Sequence, residues 1–316
     1  MNLISGASGF IGQRLLASLS SENIPCRVLS RTPIPSEIGV TADLADKAAL
    51  LAACTGVETV FHCAGYAHAF TSLSADDTAM HWKVNFEGTQ NLVDAAGRAG
   101  VKKFVFLSSV KAMAEPGNMC ATESLLGDPD TAYGESKLAA EKAVLTAGRV
   151  YGMHVVNLRL AMVYGAGGRG NLERMGRLVK RRLFPPLPDT GNHRSLVHVD
   201  DVIAAIRLVA DDHRATGKTY IIASPEAPSG RALFDALRVS QGLPRCTWSV
   251  PVSLLRFVAN IGDGLEKLLK RRSPLNTEVL NRLLNSAWYS PAYIQDDLGW
   301  HAKVSLNDGL TEMLGK

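Results

Sequence analysis

Residues 2–12 read NLISGASGFIG, an apolar segment followed by glycines at G-x-x-G-x-x-G spacing. The apolar part predicts a strand, and the spacing of apolar residues over 10–19 predicts a helix. Glycines suit a turn that needs unusual backbone angles and close approach to a bound pyrophosphate. A helix N-terminus offers free N–H groups and partial positive charge to phosphate. The stretch therefore predicts a strand–turn–helix phosphate cradle made by Gly6, Ser8, Gly9, Phe10, Ile11 and Gly12.

The pattern that begins at this cradle continues along the first half of the chain. Strand-like segments at 25–30, 58–63, 103–107 and 155–160 alternate with helical segments at 84–99 and 132–150. Such alternation predicts parallel βαβ units in an α/β fold, a doubly wound parallel sheet. We predict a nucleotide-binding domain over 1–165 and a smaller C-terminal substrate-binding region over 166–316. Within the latter, 195–224 is predicted to return to the core of the first domain.

Composition narrows the class of protein. The 316 residues are 46% hydrophobic, enough for one large unit or two tightly joined domains. The net charge is only +4 and no basic stripe carries interleaved aromatics, which argues against nucleic-acid binding. Five cysteines without a C-x-x-C pair indicate a reduced, cytoplasmic chain with no disulfide framework. The eight histidines show no metal-ligand spacing, so no metal is expected. Neither a signal-peptide pattern nor a membrane-spanning run is apparent.

The end of the second strand bears on cofactor choice. An acidic residue there would bind the 2′-hydroxyl of NAD, whereas an arginine accommodates the 2′-phosphate of NADP. This chain has Ser30 and Arg31 and no acid, which favours NADP and leaves NAD open. The alternative is that Arg31 is simply solvated. Asp43 and Leu44, predicted to end the third strand, are candidates for contact with adenine.

Tyr133 and Lys137 are separated by one helical turn and therefore share a helix face. An ammonium group beside a phenol is expected to lower the phenol's pKa, so that the tyrosine can exchange a proton with an alcohol or ketone. Ser109 lies at the carboxyl end of a predicted central strand, where ligands of such sheets bind. These three residues are the predicted catalytic group.

Together these motifs resemble an extended short-chain dehydrogenase/reductase of the NAD-dependent epimerase/dehydratase type, which has a Rossmann fold. GASGFIG, FHCAGYAH, KVNFEGT, FVFLSSVK, YGESK and LRLAMVYGAG carry the resemblance over nearly the whole chain. The resemblance implies that Ser109, Tyr133 and Lys137 are catalytic and that Lys137 also holds the nicotinamide ribose. It implies further cofactor contacts at Cys63, Ala64, Gly65, Asn85, Leu107, Leu160, Met162 and Val163. One departure is Leu160, where the family usually has proline after the arginine of that strand.

Four functions compete: nucleotide-sugar 4-keto reductase, nucleotide-sugar 4-epimerase with bound NAD, hydroxysteroid or dihydroflavonol-type ketone reductase, and a non-catalytic NADP-binding sensor. No Asp-Glu pair follows Ser109, which argues against a dehydratase. The intact Ser–Tyr–Lys set argues against the sensor. Because Arg31 favours NADPH, the favoured function is 4-keto reduction.

By resemblance, the candidate substrate contacts are Lys111 of SSVK, Asn171 of GRGNLERM and Arg194 of NHRSLVHVDDV. Nucleotide-sugar epimerases often add a second phosphate-binding arginine before the closing L-G-W. Here no arginine lies between Leu283 and Trp300, so Arg282 is the possible substitute and the steroid-type alternative stays open.

The expected partners are a small-molecule substrate and a second copy of the chain. Family resemblance implies a homodimer formed through the helices at 84–99 and 133–150. The segment 254–272 is apolar at its start and ends in LLKRR, so it could lie on a membrane surface. The favoured interpretation is an amphipathic helix that covers the substrate pocket.

Overall fold

A seven-stranded parallel sheet organises the computed structural model, which describes residues 1–33, 38–66, 75–168, 170–269 and 276–315. The sheet strands are β1 Asn2–Ser5, β2 Cys26–Ser30, β3 Gly39–Thr41, β4 Thr59–His62, β5 Lys103–Ser109, β6 His154–Leu160 and, later in the chain, β9 Lys218–Ile222. A separate two-stranded sheet pairs β7 Met162–Tyr164 with β8 Leu196–His198. The strand order 3-2-1-4-5-6-9, parallel throughout, confirms the predicted doubly wound α/β fold.

Twelve α-helices lie in the described ranges. They are α1 Phe10–Ser21, α2 Lys47–Cys54, α3 Ala75–His81, α4 Gly88–Arg98, α5 Ala132–Tyr151, α6 Asn171–Lys180, α7 Val199–Asp211, α8 Gly230–Val239, α9 Val252–Leu269, α10 Thr277–Leu284, α11 Ala292–Leu298 and α12 Leu306–Leu314. None of the helices described is both long and apolar enough to cross a membrane.

Helices cover both faces of the sheet because its strands alternate their apolar side chains. Along β5, Val105 and Leu107 join a core formed with α1, α7 and α11, whereas Phe104 and Phe106 join a core formed with α2, α4 and α5. Strands buried on both faces are typical of parallel sheets.

The chain between α3 and α4 differs from the single α-helix predicted over 84–99. Residues Trp82–Glu87 form a π-helix, and α4 begins only at Gly88. The Thr89 hydroxyl donates to the Asn85 carbonyl at 2.6 Å, so a side chain competes for that backbone acceptor. Short π-helical turns often occur at functional sites.

A third core holds the C-terminal half together. It joins Tyr164 of β7 to apolar residues of α6, α8, α10 and α12. Helix α9 packs against it through Leu255 and Ala259. Residues 270–272 of the predicted amphipathic segment lie outside the described ranges. Strand β9 pairs with β6, and α7 packs on the main sheet, so residues 199–222 contribute to the sheet layer. The boundary at 165/166 stays a prediction.

Candidate active site

The turn after β1 has the shape of a phosphate cradle. Gly6 has φ of +73°, and a Cβ there would lie 2.5 Å from the Ala64 nitrogen. A Cβ on Gly12 would lie 2.3 Å from the Gly6 oxygen, so neither position accepts a side chain without movement. The N-cap of α1 is Gly9, which has no side chain to cap the helix. The N–H groups of the first turn are therefore left for a ligand. Ser8 and Gly9 are exposed, Phe10 and Ile11 are half-buried, and Gly12 is buried. This uncapped N-terminus fits the pyrophosphate of a dinucleotide.

The residues predicted to contact the adenosine part of the cofactor are more exposed than the glycine turn. Ser30 ends β2, and its hydroxyl accepts a hydrogen bond from the Thr32 N–H at 3.3 Å. Arg31 is exposed. Asp43 lies two residues beyond the end of β3 rather than within the strand, and its carboxylate accepts from the Ala45 N–H at 2.8 Å.

Leu44 packs against α4: a Cβ added at Gly88 would lie 2.9 Å from its Cδ1. The Leu44 carbonyl accepts from Asn91 Nδ2 at 2.9 Å. The residue is therefore fixed in place beside the helix.

The segment after β4 connects the cradle to the predicted catalytic residues. The Cys63 N–H donates to the Ser5 carbonyl at 3.1 Å, and Ala64 packs against Gly6. A Cβ on Gly65 would lie 3.2 Å from Lys137 Nζ and 3.3 Å from Asn85 Oδ1. The segment Cys63–Gly65 thus connects the glycine turn after β1 with Asn85 of the π-helix and Lys137 of α5.

Asn85 fixes that segment from the π-helix. Its Oδ1 accepts from the Tyr66 N–H at 2.7 Å, and its Nδ2 donates to the Tyr66 carbonyl at 3.1 Å. Nδ2 also lies 3.3 Å from the Oγ of Ser136, a residue of α5. Asn85 is buried, and these bonds join the π-helix to the segment that follows β4.

Ser109, Tyr133 and Lys137 come together although the first and the last are 28 positions apart in sequence. Ser109 ends β5; its Oγ accepts from the Lys111 N–H at 3.2 Å and lies close enough to the Tyr133 phenol to lower its pKa. Thr131 caps α5 by accepting from the Gly134 N–H at 3.1 Å, which places Tyr133 in the first turn. Lys137 is buried, and its Nζ donates to the Leu107 carbonyl at 2.9 Å.

The pKa of Tyr133 differs from the expectation. Burial raises it, with the Ser109 hydrogen bond opposing, whereas the sequence predicted that Lys137 would lower it. The Lys137 ammonium is instead held by Leu107 and lies 4.7 Å from the centre of the Phe106 ring. Burial also lowers the pKa of Lys137 to about 8, while the Glu141 carboxylate raises it. Tyr133 is therefore a neutral phenol at neutral pH, a form that can donate a proton.

Sequence reasoning missed an aromatic neighbourhood around Tyr133. The His81 ring lies 5.5 Å from the Tyr133 ring and 5.0 Å from that of Tyr66. The Tyr66 hydroxyl donates to Asp77 at 2.7 Å. The spacing of His81 and Asn85, four residues apart in a helical segment, was the available signal.

The residues expected to flank nicotinamide follow β6. Leu160 ends this strand and is buried, and the next N–H, of Ala161, donates to the Ile222 carbonyl at 3.0 Å. Met162 and Val163 are half-buried in β7.

The candidate substrate contacts are less uniform. Lys111 forms an ion pair with Glu115, four residues later in the sequence. Asn171 is exposed at the start of α6. Arg194 is half-buried; in the described part of the chain, its one side-chain hydrogen bond is a 3.5 Å contact to the Asn285 carbonyl.

The Arg194 guanidinium lies in a mixed electrostatic environment. Burial lowers its pKa, Tyr289 and Glu115 raise it, and the neighbouring Arg282 guanidinium lowers it. Arg194 and Arg282 therefore lie close enough to repel each other. Arg282 is itself ion-paired with Glu278, so Arg194 is the guanidinium of the two that is better placed to take an anionic ligand.

Comparison with known proteins defines the class. The model of the NAD dependent epimerase/dehydratase family matches residues 2–223. A UDP-glucose 4-epimerase of Vibrio cholerae is 27% identical over 98% of this chain and 93% of its own length. A 2-alkyl-3-oxoalkanoate reductase of Stenotrophomonas maltophilia is 26% identical over 98% and 97%. The solved structure of MoeE5 in complex with UDP-glucose and NAD superposes with a TM-score of 0.77 at 25% identity, covering 99% of this chain and 97% of that one.

The chain belongs to the NAD dependent epimerase/dehydratase family, as its sequence motifs indicated. It is an NAD(P)-dependent enzyme of the short-chain dehydrogenase/reductase type, acting on a small molecule.

Proposed function

We propose that this enzyme reduces the 4-keto group of a nucleotide sugar with NADPH. The observation that carries the proposal is Arg194, a half-buried guanidinium with one long hydrogen bond and with Arg282 beside it. An arginine desolvated without a strong partner is costly unless an anion completes the site. The diphosphate of a nucleotide sugar supplies that anion, and arginine matches its geometry.

Two features favour reduction over epimerisation. Arg31 follows β2 where an acid would select NAD, and the NADP phosphate suits this exposed cation. The raised pKa of Tyr133 makes its phenolate harder to form, which disfavours the base step with which a 4-epimerase begins and leaves the proton that a ketone reduction consumes.

The residue roles follow from these contacts. NADPH, when bound, would supply the hydride that reduces the carbonyl carbon. Tyr133 donates its phenolic proton to the carbonyl oxygen, so that the ketone becomes an alcohol. Ser109, beside the Tyr133 phenol, positions the same oxygen through its hydroxyl. Lys137, between the Leu107 carbonyl and Gly65, binds the nicotinamide ribose.

The first experiment identifies the resident dinucleotide. Protein purified without added cofactor is denatured, and released nucleotide is analysed by mass spectrometry. We expect an empty site that then binds NADPH more tightly than NADH, with the preference lost in Arg31→Asp. Stoichiometric NAD would overturn the reductase proposal in favour of the 4-epimerase, the activity for which the Vibrio cholerae relative is named.

The second experiment identifies the substrate class. NADPH oxidation is followed with a UDP-linked 4-keto sugar and, separately, with a 2-alkyl-3-oxoalkanoate and a ketosteroid. We expect turnover of the first, a large increase in KM for Arg194→Met, and loss of turnover in Tyr133→Phe. Turnover of the apolar ketones alone would support the alternative favoured by the Stenotrophomonas maltophilia relative.

A further inference from the structure

Helix α9 presents a band of large apolar side chains to solvent. Leu254, Phe257, Val258, Ile261 and Leu265 are 51%, 63%, 42%, 48% and 46% exposed. At 100° per residue these five positions fall within about 100° of the helix surface. No other helix in the described ranges exposes more than one large apolar side chain. A contiguous exposed band of this kind marks an interaction surface.

The band is not the face by which the helix packs. Leu255 and Ala259, on the neighbouring face, are 3% and 1% exposed and join the C-terminal core. The interpretation from sequence, that this segment covers a substrate pocket, leaves the larger apolar face of α9 unexplained. None of the chain that the structure describes covers that face.

The acidic residues of α9 are turned towards α10. Asp263 accepts a hydrogen bond from the Thr277 N–H at 3.1 Å. Glu266 accepts one from Asn276 Nδ2 at 3.0 Å. Neither carboxylate is part of the apolar band, so the band itself carries no negative charge.

The sequence around the band is basic. Residues 252–272 contain five basic and two acidic residues, and the basic ones are Arg256, Lys267, Lys270, Arg271 and Arg272. A second copy of α9 would bring like charges together in either orientation, because neither end of this stretch supplies an excess of acid. Apolar side chains combined with an excess of lysine and arginine are complementary to an anionic lipid surface.

We propose that α9 docks the enzyme on the surface of an anionic phospholipid bilayer. The helix lies in the interface, with Phe257, Ile261 and their neighbours inserted at the acyl boundary. It does not cross the bilayer, since none of the helices described has the length and apolar composition for that. The proposal is independent of the reaction at Tyr133, because α9 contributes no residue to that site.

Vesicle co-sedimentation tests the proposal. The full chain is mixed with vesicles of phosphatidylcholine alone or of phosphatidylcholine with phosphatidylglycerol, and the bound fraction is measured. We expect binding to the anionic vesicles, weakened by salt. We also expect a loss of about tenfold or more in partition coefficient for Phe257→Ser and again for Ile261→Ser.

Leu183→Ser is the matched control, because Leu183 is 68% exposed, follows α6 and lies outside both the band and the helices of the predicted dimer. It should bind vesicles like the parent chain, and all variants should keep the parent Tm. No binding by the parent chain, or equal binding by parent and Phe257→Ser, would overturn the proposal. A mass by light scattering that falls from dimer to monomer in Phe257→Ser would also overturn it, in favour of a second copy on this face.

Discussion

Lys137 illustrates at the residue scale how burial sets both chemistry and pH dependence. The pKa of its ammonium is lowered from 10.5 to about 8 by burial. Between these two values the unfolded chain holds a proton that the folded chain does not. Raising the pH through this window therefore disfavours unfolding, and the cost of burying the charge disappears.

We predict that the free energy of unfolding rises from pH 7 to pH 10 relative to that of Lys137→Met. The relative rise should be roughly 2–3 kcal/mol, since one unit of pKa corresponds to about 1.4 kcal/mol. Urea titrations of both proteins at each pH measure it, and ionisations common to both cancel. Parallel profiles for the two proteins would contradict the prediction.

Gly6 and Gly56 offer a second comparison at the residue scale. Both have φ of +73°, but a Cβ on Gly6 would meet the backbone of Ala64 whereas one on Gly56 meets nothing within 4 Å. We predict that Gly56→Ala costs about 1–2 kcal/mol, the price of the left-handed conformation. Gly6→Ala should cost at least twice as much and should also weaken NADPH binding, because the cradle must move. Equal urea midpoints for the two variants would argue against a backbone clash.

At the scale of elements, α5 and β6 are joined by a buried ion pair. Arg159 donates from Nε and Nη2 to Glu141 at 3.0 and 2.7 Å, and the two side chains are 12% and 3% exposed. Breaking a buried pair leaves an uncompensated charge.

We predict that Glu141→Gln costs about 3–5 kcal/mol. Because the Glu141 carboxylate raises the pKa of Lys137, that pKa should also fall below about 8 in the variant. Glu22→Gln is the control, since Glu22 pairs with Arg207 at the surface and should contribute less than about 1 kcal/mol. Chemical denaturation measures the free energy of unfolding of the two variants. A similar cost for Glu141→Gln and Glu22→Gln would show that burial of the ion pair does not matter here.

At the scale of the whole molecule, the sheet is completed by chain from beyond residue 165. Strand β9 covers the edge of β6, and Val202, Ile206 and Val209 of α7 pack on one face of the sheet. Ile294, Leu298 and Trp300 join the same core from near the C-terminus.

We therefore predict that a chain ending at residue 165 does not fold cooperatively, although it contains the cradle and all three catalytic candidates. The full chain should show one unfolding transition, and the truncated one should show none by near-ultraviolet circular dichroism. A truncated chain that unfolds cooperatively and binds NADPH would instead support an autonomous domain over 1–165.

The homodimer through α4 and α5 stays a prediction. Val150 is the one large apolar side chain that these two helices expose, so the contact would depend on smaller and polar groups. Light scattering on the full chain decides the oligomeric state.

The sequence by itself determined the features that depend on local pattern. The spacing of Gly6, Gly9 and Gly12 and the alternation of strands and helices were enough for the fold class and the family. These signals can be read because backbone angles and apolar periodicity are set by near neighbours along the chain.

Tertiary structure alone decided the electrostatics and the exposed surfaces. The raised pKa of Tyr133 depends on its burial. The approach of Arg282 to Arg194 joins residues 88 positions apart in sequence. The outward direction of Phe257 depends on which face of α9 meets the C-terminal core. In each case charge and solvation are set by atoms distant in sequence, so no local pattern encodes them.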